Sequence, residues 1–358
     1  MSTEEHTQAT MDADRDRPIT LTFVIPSYNV EEYLGRCVSS LLIGQDTDDL
    51  EILIVNDGSK DGTSRLAHTF EAQHPDIIRV IDQPNKGHGG AVNTGIANAR
   101  GTYLKVVDAD DWLDTTALRN VLTELRVQAK ADAPVDLVIA NYTYDKQGKR
   151  LKQTIRYRSV LPKNRIIGWN EVKKFRIDQN LLMHSLLYRT AVLREKANLQ
   201  LPEHTFYVDN LFAYAPLPKV RTLMYLDEDL YRYFIGREGQ SVQKNTMIKR
   251  IDQQVRVSRL MVESTPARAS VPEGLYRYMI HYLRINFAVT SVFMVLSHNK
   301  EHYQEKNELW DYLAQNRPEA FATIHKTLIG KLLTIKGPLG RMLIRFGYSV
   351  AHTFFGVN

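Results

Sequence analysis

Cys37 is the only cysteine in 358 residues. That excludes an internal disulfide and any metal site built on several thiolates, and it fits a reducing compartment. Long hydrophobic runs are also missing. The longest apolar stretch, Ile285 to Leu296, is well short of a bilayer-spanning helix. Residues 1–17 are polar and charged with no apolar core, so no signal peptide is expected there and the segment is read as disordered. The excess charge is only +5, too little to argue for nucleic acid. A Gly-Lys-Ser/Thr phosphate loop is absent. The glycine-rich stretch Gly87-His88-Gly89-Gly90 fails the dinucleotide fingerprint, because Val92 holds the third glycine position and the loop follows the third strand, not the first. A cytoplasmic protein is expected, and any phosphate it binds is expected to be held through a metal.

What is present is an alternation of short apolar strands and helices. Ile19 to Pro26 is a near-continuous apolar strand, ending in Pro26-Ser27-Tyr28-Asn29. Asn29 and Glu32 have capping-box spacing for a helix running to about Leu42. Glu51 to Val55 and Ile78 to Asp82 read as the second and third strands, followed by helices Thr63 to His74 and Ala91 to Ala99. Tyr103 to Val107 is the fourth and breaks into Asp108-Ala109-Asp110-Asp111. The helix Thr115 to Ala129 and a fifth strand, Val135 to Tyr142, follow. This alternation specifies βαβ units and a parallel sheet. Its carboxyl edge would gather Tyr28, Asp57, Asp108 and Asp110 into one crevice. Clustered carboxylates repel one another and call for a hard divalent cation, Mg²⁺ or Mn²⁺. Asp111 or Asp114 could instead cap the helix that begins near Thr115.

The succession Pro26-Ser27-Tyr28-Asn29, Val55-Asn56-Asp57-Gly58-Ser59, Asn85-Lys86-Gly87, Ala91-Val92-Asn93-Thr94-Gly95, Ala99-Arg100-Gly101 and Asp108-Ala109-Asp110-Asp111 closely resembles the family 2 glycosyltransferases, over roughly residues 19–235. The resemblance implies an inverting enzyme, a hexosyl- or N-acetylhexosaminyl-transferase. The implied fold is α/β of GT-A type: a Rossmann-like, mostly parallel sheet flanked by helices, with a C-terminal helical appendage. It implies a nucleotide diphosphate sugar donor, usually carrying uridine, bound by Pro26, Tyr28, Asp57, Asp108, Asp111 and Arg237. Tyr28 would lie against the base, Asp57 would accept from the uracil ring nitrogen, and Asp108 would hold ribose hydroxyls. Asp110 would ligate the metal, with Asp111 on the sugar side or behind the ligands. Lys86 and His88 could approach the phosphates, but both are read as part of a solvated loop and left out of the site. In the family a Glu-Asp pair before a helix supplies the catalytic base. Here the pair is Val208-Asp209, so the aspartate is kept and the glutamate is not. Asp209 is taken as the base, with an N-cap as its structural alternative and Glu203 as the rival carboxylate.

In the second half, Lys149 to Val160 could be a strand of a smaller mixed sheet. Trp169 to Phe175 and Thr190 to Ala197 look like short helices, and Thr222 to Leu226 and Leu230 to Phe234 like strands. The loop Gly236 to Val242, with Arg237, resembles one that closes on donor in related enzymes. The Gln-x-x-Arg-Trp signature of processive synthases is absent, which favours transfer of a single sugar to a glycan or lipid-linked acceptor in cell-surface polysaccharide or glycolipid synthesis. From Met247 the pattern is helical (247–262, 273–296, 303–315), an appendage that could shape the acceptor side or a homodimer contact. Lys326 to Phe355 intersperses basic and apolar residues without a carboxylate and is broken at Gly337-Pro338. It reads as a basic amphipathic surface for the inner face of a membrane, or as a helix packed on the core. The domain boundaries expected are 1–17, 18–245, 246–325 and 326–358. Two other readings are a nucleotidyltransferase, which would want a glycine-rich phosphate loop after the first strand, and a non-catalytic nucleotide-sugar-binding protein at the membrane.

Overall fold

The computed structural model describes residues 18–146, 152–177, 179–235 and 244–355. Expectations for residues 1–17 and for the loop that carries Arg237 lie outside the described residues.

The first half builds as the alternation requires. Strand β1 (Leu21–Ser27) is buried along its whole length, and so is β2 (Leu50–Asn56), as befits central strands covered on both faces. Helices α1 (Glu31–Leu41) and α2 (Thr63–Gln73) separate β1, β2 and β3 (Ile78–Asp82). Helix α3 (Gly87–Asn98) leads to β4 (Tyr103–Val106). β1 pairs in parallel with both β2 and β4, and β2 with β3. The register sets Ser27 beside Asn56 and Asn56 beside Asp82, so the polar ends of these strands share one edge.

Three local details differ from the sequence expectation. Asn29 does not cap α1. It sits at φ +51°, and its side-chain oxygen accepts from the Lys60 N–H at 2.8 Å, tying the loop after β1 to the loop after β2. Helix α3 begins at Gly87, four residues earlier than expected, so the glycine run is its first turn. The expected strand Val135 to Tyr142 is two strands in different sheets, β6 (Leu137–Ile139) and β7 (Tyr142–Lys146). They part at Asn141, whose amide nitrogen donates to Asp227 and Asp229.

Beyond β4 the main sheet becomes mixed. With β9 (Ile166–Ile167), β10 (Leu186–Arg189) and β11 (Leu223–Tyr225) it has eight strands in the order β3-β2-β1-β4-β10-β6-β11-β9. β10 runs antiparallel to both β4 and β6. A second sheet has the order β5-β12-β7-β8, formed by β5 (Trp112–Leu113), β7, β8 (Gln153–Ile155) and β12 (Tyr231–Ile235). It carries part of the expected Lys149 to Val160 strand. Helix α4 (Thr115–Ala129) is capped by Asp114, which accepts from the Ala117 N–H at 3.1 Å. Of the expected helix Trp169 to Phe175, only a 3₁₀ turn over Trp169–Glu171 forms. A π-helical turn replaces the one expected over Thr190 to Ala197.

The helical region comprises α5 (Asp209–Tyr214), α6 (Lys244–Lys249), α7 (Ile251–Ser264), α8 (Glu273–Leu296), α9 (Lys300–Asn316), α10 (Pro318–His325), α11 (Leu328–Thr334) and α12 (Gly337–Phe355). It shares one apolar core with the sheets. α8 is longer than its apolar core run suggested. At 24 residues and mean hydropathy 1.5 over its best window it could cross a membrane by length and composition. Most of that window is buried inside the protein, where Tyr278 stacks on Trp169 at 5.8 Å. Gly274 packs so closely on the Trp169 carbonyl that a Cβ would sit 1.9 Å from it.

Candidate active site

The site forms where the ends of β1, β2 and β4 meet the segment before α5. Tyr28, just past β1, projects with 46% of its surface exposed, while Pro26 is buried within the strand. Asp57 follows β2 and is 2% exposed. Its Oδ1 accepts from the Gln83 amide at 2.6 Å and the Lys86 N–H at 2.8 Å, and its own N–H donates to the Ser27 carbonyl. The acid is therefore held on both sides, at the junction of the first two strand ends.

Asp108 lies two residues beyond the end of β4, after the buried Val107. Its Oδ1 is 2.9 Å from Nε2 of His88, and its N–H donates to the Tyr231 hydroxyl at 3.1 Å. That hydroxyl in turn donates to Asp111 Oδ2 at 2.6 Å, and the Phe234 N–H donates to Asp111 Oδ1 at 2.7 Å. Asp111 is thus fully buried with both oxygens held by β12. It ties the second sheet to the carboxylate cluster and does not open to the crevice. Asp110 stands between them, and its carbonyl accepts from Arg36 at 3.1 Å. The Arg36 guanidinium lies flat over Trp112, 3.7 Å from the ring centre.

Electrostatics separate the three acids. Burial works against the charge on Asp108, but the hydrogen bond and charge of His88 outweigh it and hold its carboxyl below the usual range. Burial, joined by repulsion from Asp110 and Asp108, pushes Asp111 well above it. His88 is disfavoured as a cation by burial, yet its bond to Asp108 and the fields of Asp108, Asp209 and Asp110 raise its pKa. Its charge therefore senses all three acids at once.

Beneath Asp108 lie two buried basic groups that the sequence did not single out. Lys105, in β4, donates its Nζ to the His184 carbonyl at 2.7 Å, and burial lowers its pKa to about 7. The His184 ring packs against Tyr231 and Tyr233, with centroids 4.7 and 4.4 Å away. Among the described residues its buried Nδ1 has no hydrogen-bond partner, and it lies 3.9 Å from Asp108 Oδ2. Burial lowers its pKa to about 4, so the ring is neutral at physiological pH.

Those features bear on a divalent ion. One oxygen each of Asp108 and Asp111 and a ring nitrogen of His184 lie within 4.8 Å of one another. The neutral imidazole with an orphan nitrogen and the mutually repelling carboxylates suit a hard or borderline cation. Asp110, the expected ligand, borders this group without being part of it.

Asp209 opens α5. It is not the N-cap, which is Val208. It is half-buried, and burial with the Asp108 charge raises its pKa against the opposing field of His88. The segment before it is strained: His204 has φ +49° and Tyr207 φ +66°. It is also pressed onto the glycine run of α3. A Cβ on Gly87 would lie 2.9 Å from the His204 backbone, and one on Gly89 2.6 Å from the Pro202 carbonyl. Asn93 bonds Leu201 through both its amide atoms, at 2.8 and 2.9 Å. The glycines therefore serve close packing of this segment, and they bring Glu203 and Asp209 towards His88. Glu203 itself is exposed, 3.9 Å from Lys86. Within the helical region, the Tyr282 hydroxyl donates to the side chain of Asn210, the residue after Asp209, at 3.3 Å.

A mixed sheet with this strand order and acidic groups at its carboxyl edge is the GT-A architecture. The same fold is found in Staphylococcus aureus TarS residues 1–349, at TM-score 0.68 and 17% identity, covering 92% of this chain and 91% of that one. A second structure of that protein, in complex with UDP-GlcNAc, matches at TM-score 0.68 and 18% identity over 92% of both chains. Residues 22–193, just under half of the chain, match the model of glycosyl transferase family 2. Among named relatives, the uncharacterized glycosyltransferase EpsJ of Bacillus subtilis is 33% identical over 60% of this chain and 60% of its own length. Chondroitin synthase of Escherichia coli is 42% identical over 30% of this chain but only 15% of its own. The chain thus spans less than two thirds of the length of these relatives.

Proposed function

We propose that this protein transfers a single sugar, with inversion, from a nucleotide diphosphate sugar to a hydroxyl of a glycan or lipid-linked acceptor. The donor is a uridine diphosphate sugar, and the setting is cell-surface polysaccharide or glycolipid synthesis on the cytoplasmic side. The observation that carries this reading is His88, bonded to Asp108 and within the fields of Asp209 and Asp110. It joins a donor-side acid and a candidate base across one crevice. The family match and the UDP-GlcNAc complex of TarS support the donor class.

In this reading Tyr28 offers its exposed ring to the base, and Asp57 accepts from the uracil N–H with a carboxylate already fixed by Gln83 and Lys86. Asp108 receives ribose hydroxyls, oriented by His88 and the Tyr231 hydroxyl. Asp110, with Asp108 and His184 at its border, would hold a Mg²⁺ or Mn²⁺ ion. Such an ion supplies Lewis-acid stabilisation of the departing diphosphate. Asp209 accepts the acceptor hydroxyl's proton as that oxygen attacks the anomeric carbon. One base and one displacement invert the centre, and Arg237 adds positive charge at the leaving group.

The test is a panel of nucleotide sugars incubated with Mn²⁺, with EDTA controls and the Asp110→Ala variant, following nucleotide release and binding of uridine diphosphate. Metal-dependent hydrolysis of one donor, lost in the variant together with metal-dependent binding, is the expected result. Absence of hydrolysis with every donor would point to a non-catalytic binder, and full uridine diphosphate affinity in Asp110→Ala would remove the metal assignment.

A further inference from the structure

Helix α12 turns an apolar face outwards as well as inwards. Ile344 is buried and Arg345 donates to the Tyr303 hydroxyl at 2.8 Å, while Arg341 lies over the Tyr303 ring at 4.7 Å. The helix packs on α8, and this side of it also meets Tyr303 of α9. Leu339, Met342, Phe346 and Val350 fall within an arc of about 80° at helical spacing, centred about 160° round the axis from Ile344. All four are exposed, Phe346 by 68%. Leu328, at the start of α11, is 81% exposed. Half of the ten exposed large hydrophobics among the described residues lie on these two helices. A packed surface helix normally presents polar groups on its outer side.

The charge around this face has one sign. After Glu319 the chain contains no further carboxylate, but it has Lys326, Lys331, Lys336, Arg341 and Arg345. The first three are exposed. Lys336 pairs with Asp311, and nothing neutralises Lys326 or Lys331 within their own segment. Two copies pressed together through this face would bring like charges together. An anionic bilayer complements both the apolar stripe and the cations.

We infer that α11 and α12 form a membrane-surface docking face for anionic phospholipid. Leu339, Met342, Phe346 and Val350 enter the headgroup–acyl boundary, and Lys326 and Lys331 lie at the phosphates. The inference rests on the tail alone and stands whether or not the donor reading holds.

The experiment is sedimentation of the full chain with vesicles of phosphatidylcholine containing phosphatidylglycerol, compared with pure phosphatidylcholine. The variants are Leu339→Ser/Met342→Ser/Phe346→Ser and Lys326→Gln/Lys331→Gln, and circular dichroism checks that each is folded. Wild type should bind the anionic vesicles. The apolar variant should lose on the order of a hundredfold in partitioning. The lysine variant should lose roughly 25-fold, at about fivefold per basic residue, with a smaller loss as salt is raised. Equal partitioning of wild type and folded apolar variant overturns the inference. So does an apolar variant that converts a wild-type oligomer to a monomer without changing vesicle binding, because the face then belongs to a second copy.

Discussion

Replacing Lys105 with methionine should stabilise the protein at neutral pH and destabilise it in alkali. The side chain is completely buried, its Nζ donates to the His184 carbonyl at 2.7 Å, and no carboxylate among the described residues lies within ion-pair distance. Burial lowers its pKa from 10.5 to about 7, with Asp108 opposing the shift. A displacement of that size corresponds to about 5 kcal/mol between the two protonation states. Between pH about 7 and about 10.5 the unfolded chain binds the proton and the folded chain does not, so stability rises with pH across that window. Below it, the folded state bears the full cost of a buried charge. Methionine removes that cost but leaves a buried carbonyl short of a donor, a loss of about 1–3 kcal/mol. The variant should therefore gain roughly 2–4 kcal/mol at pH 6.5 and lose about 1–3 kcal/mol near pH 10. Urea midpoints by circular dichroism at several pH values measure both. A difference between the two proteins that is constant over this range would show that Lys105 keeps its charge in the fold and would refute the reasoning.

Tyr231→Phe removes the hydroxyl shared by the Asp108 N–H and Asp111. It should cost about 2–4 kcal/mol, visible as a lower melting temperature, and unchanged melting would deny the bridge its role. Gly89→Ala sets a Cβ 2.6 Å from the Pro202 carbonyl, so the segment before Asp209 must move. Turnover should fall while uridine diphosphate affinity holds, and normal turnover would show that the contact is slack. Asp209→Asn should keep donor binding and lose roughly 10²–10⁴-fold in transfer. Near-normal transfer would hand the base role to Glu203 or another group.

The strand ends were legible because buried parallel strands leave long apolar runs, and Asp57 and the Asp108 cluster sit where those runs stop. The second half was less so. β6 and β7 read as one strand because Val135 to Tyr142 is apolar except at Asp136 and Asn141, and only the tertiary partners of Asn141 reveal the break. His184 gave no local signal. It lies in a 3₁₀ turn before β10, a central strand antiparallel to both neighbours, and its meaning comes from two tyrosines and an aspartate distant in sequence. His88 could have been found. The second residue of a helix that opens on a glycine run at a carboxyl edge is placed to face whatever the neighbouring strand presents. The glycines were noticed, but their reason was not: they receive Pro202 and His204, which a sequence pattern cannot show.

Asp209 and His88 together make a sign prediction for catalysis. A proton-accepting carboxylate works only when ionised, so the acid limb of kcat/KM follows its pKa in the free enzyme. Burial and Asp108 raise that pKa and the His88 charge opposes them. The limb should therefore sit above the ordinary carboxylate range. His88→Asn deletes the cation whose field opposes them, and the amide can still donate to Asp108. The limb should then move to higher pH, since Asp209 loses an attraction for its charge while keeping the repulsion from Asp108. A role for His88 confined to holding the fold of α3 would lower the plateau and leave the limb where it was. A limb that moved to lower pH would mean that the group titrating is not Asp209, or that it lies outside the reach of His88.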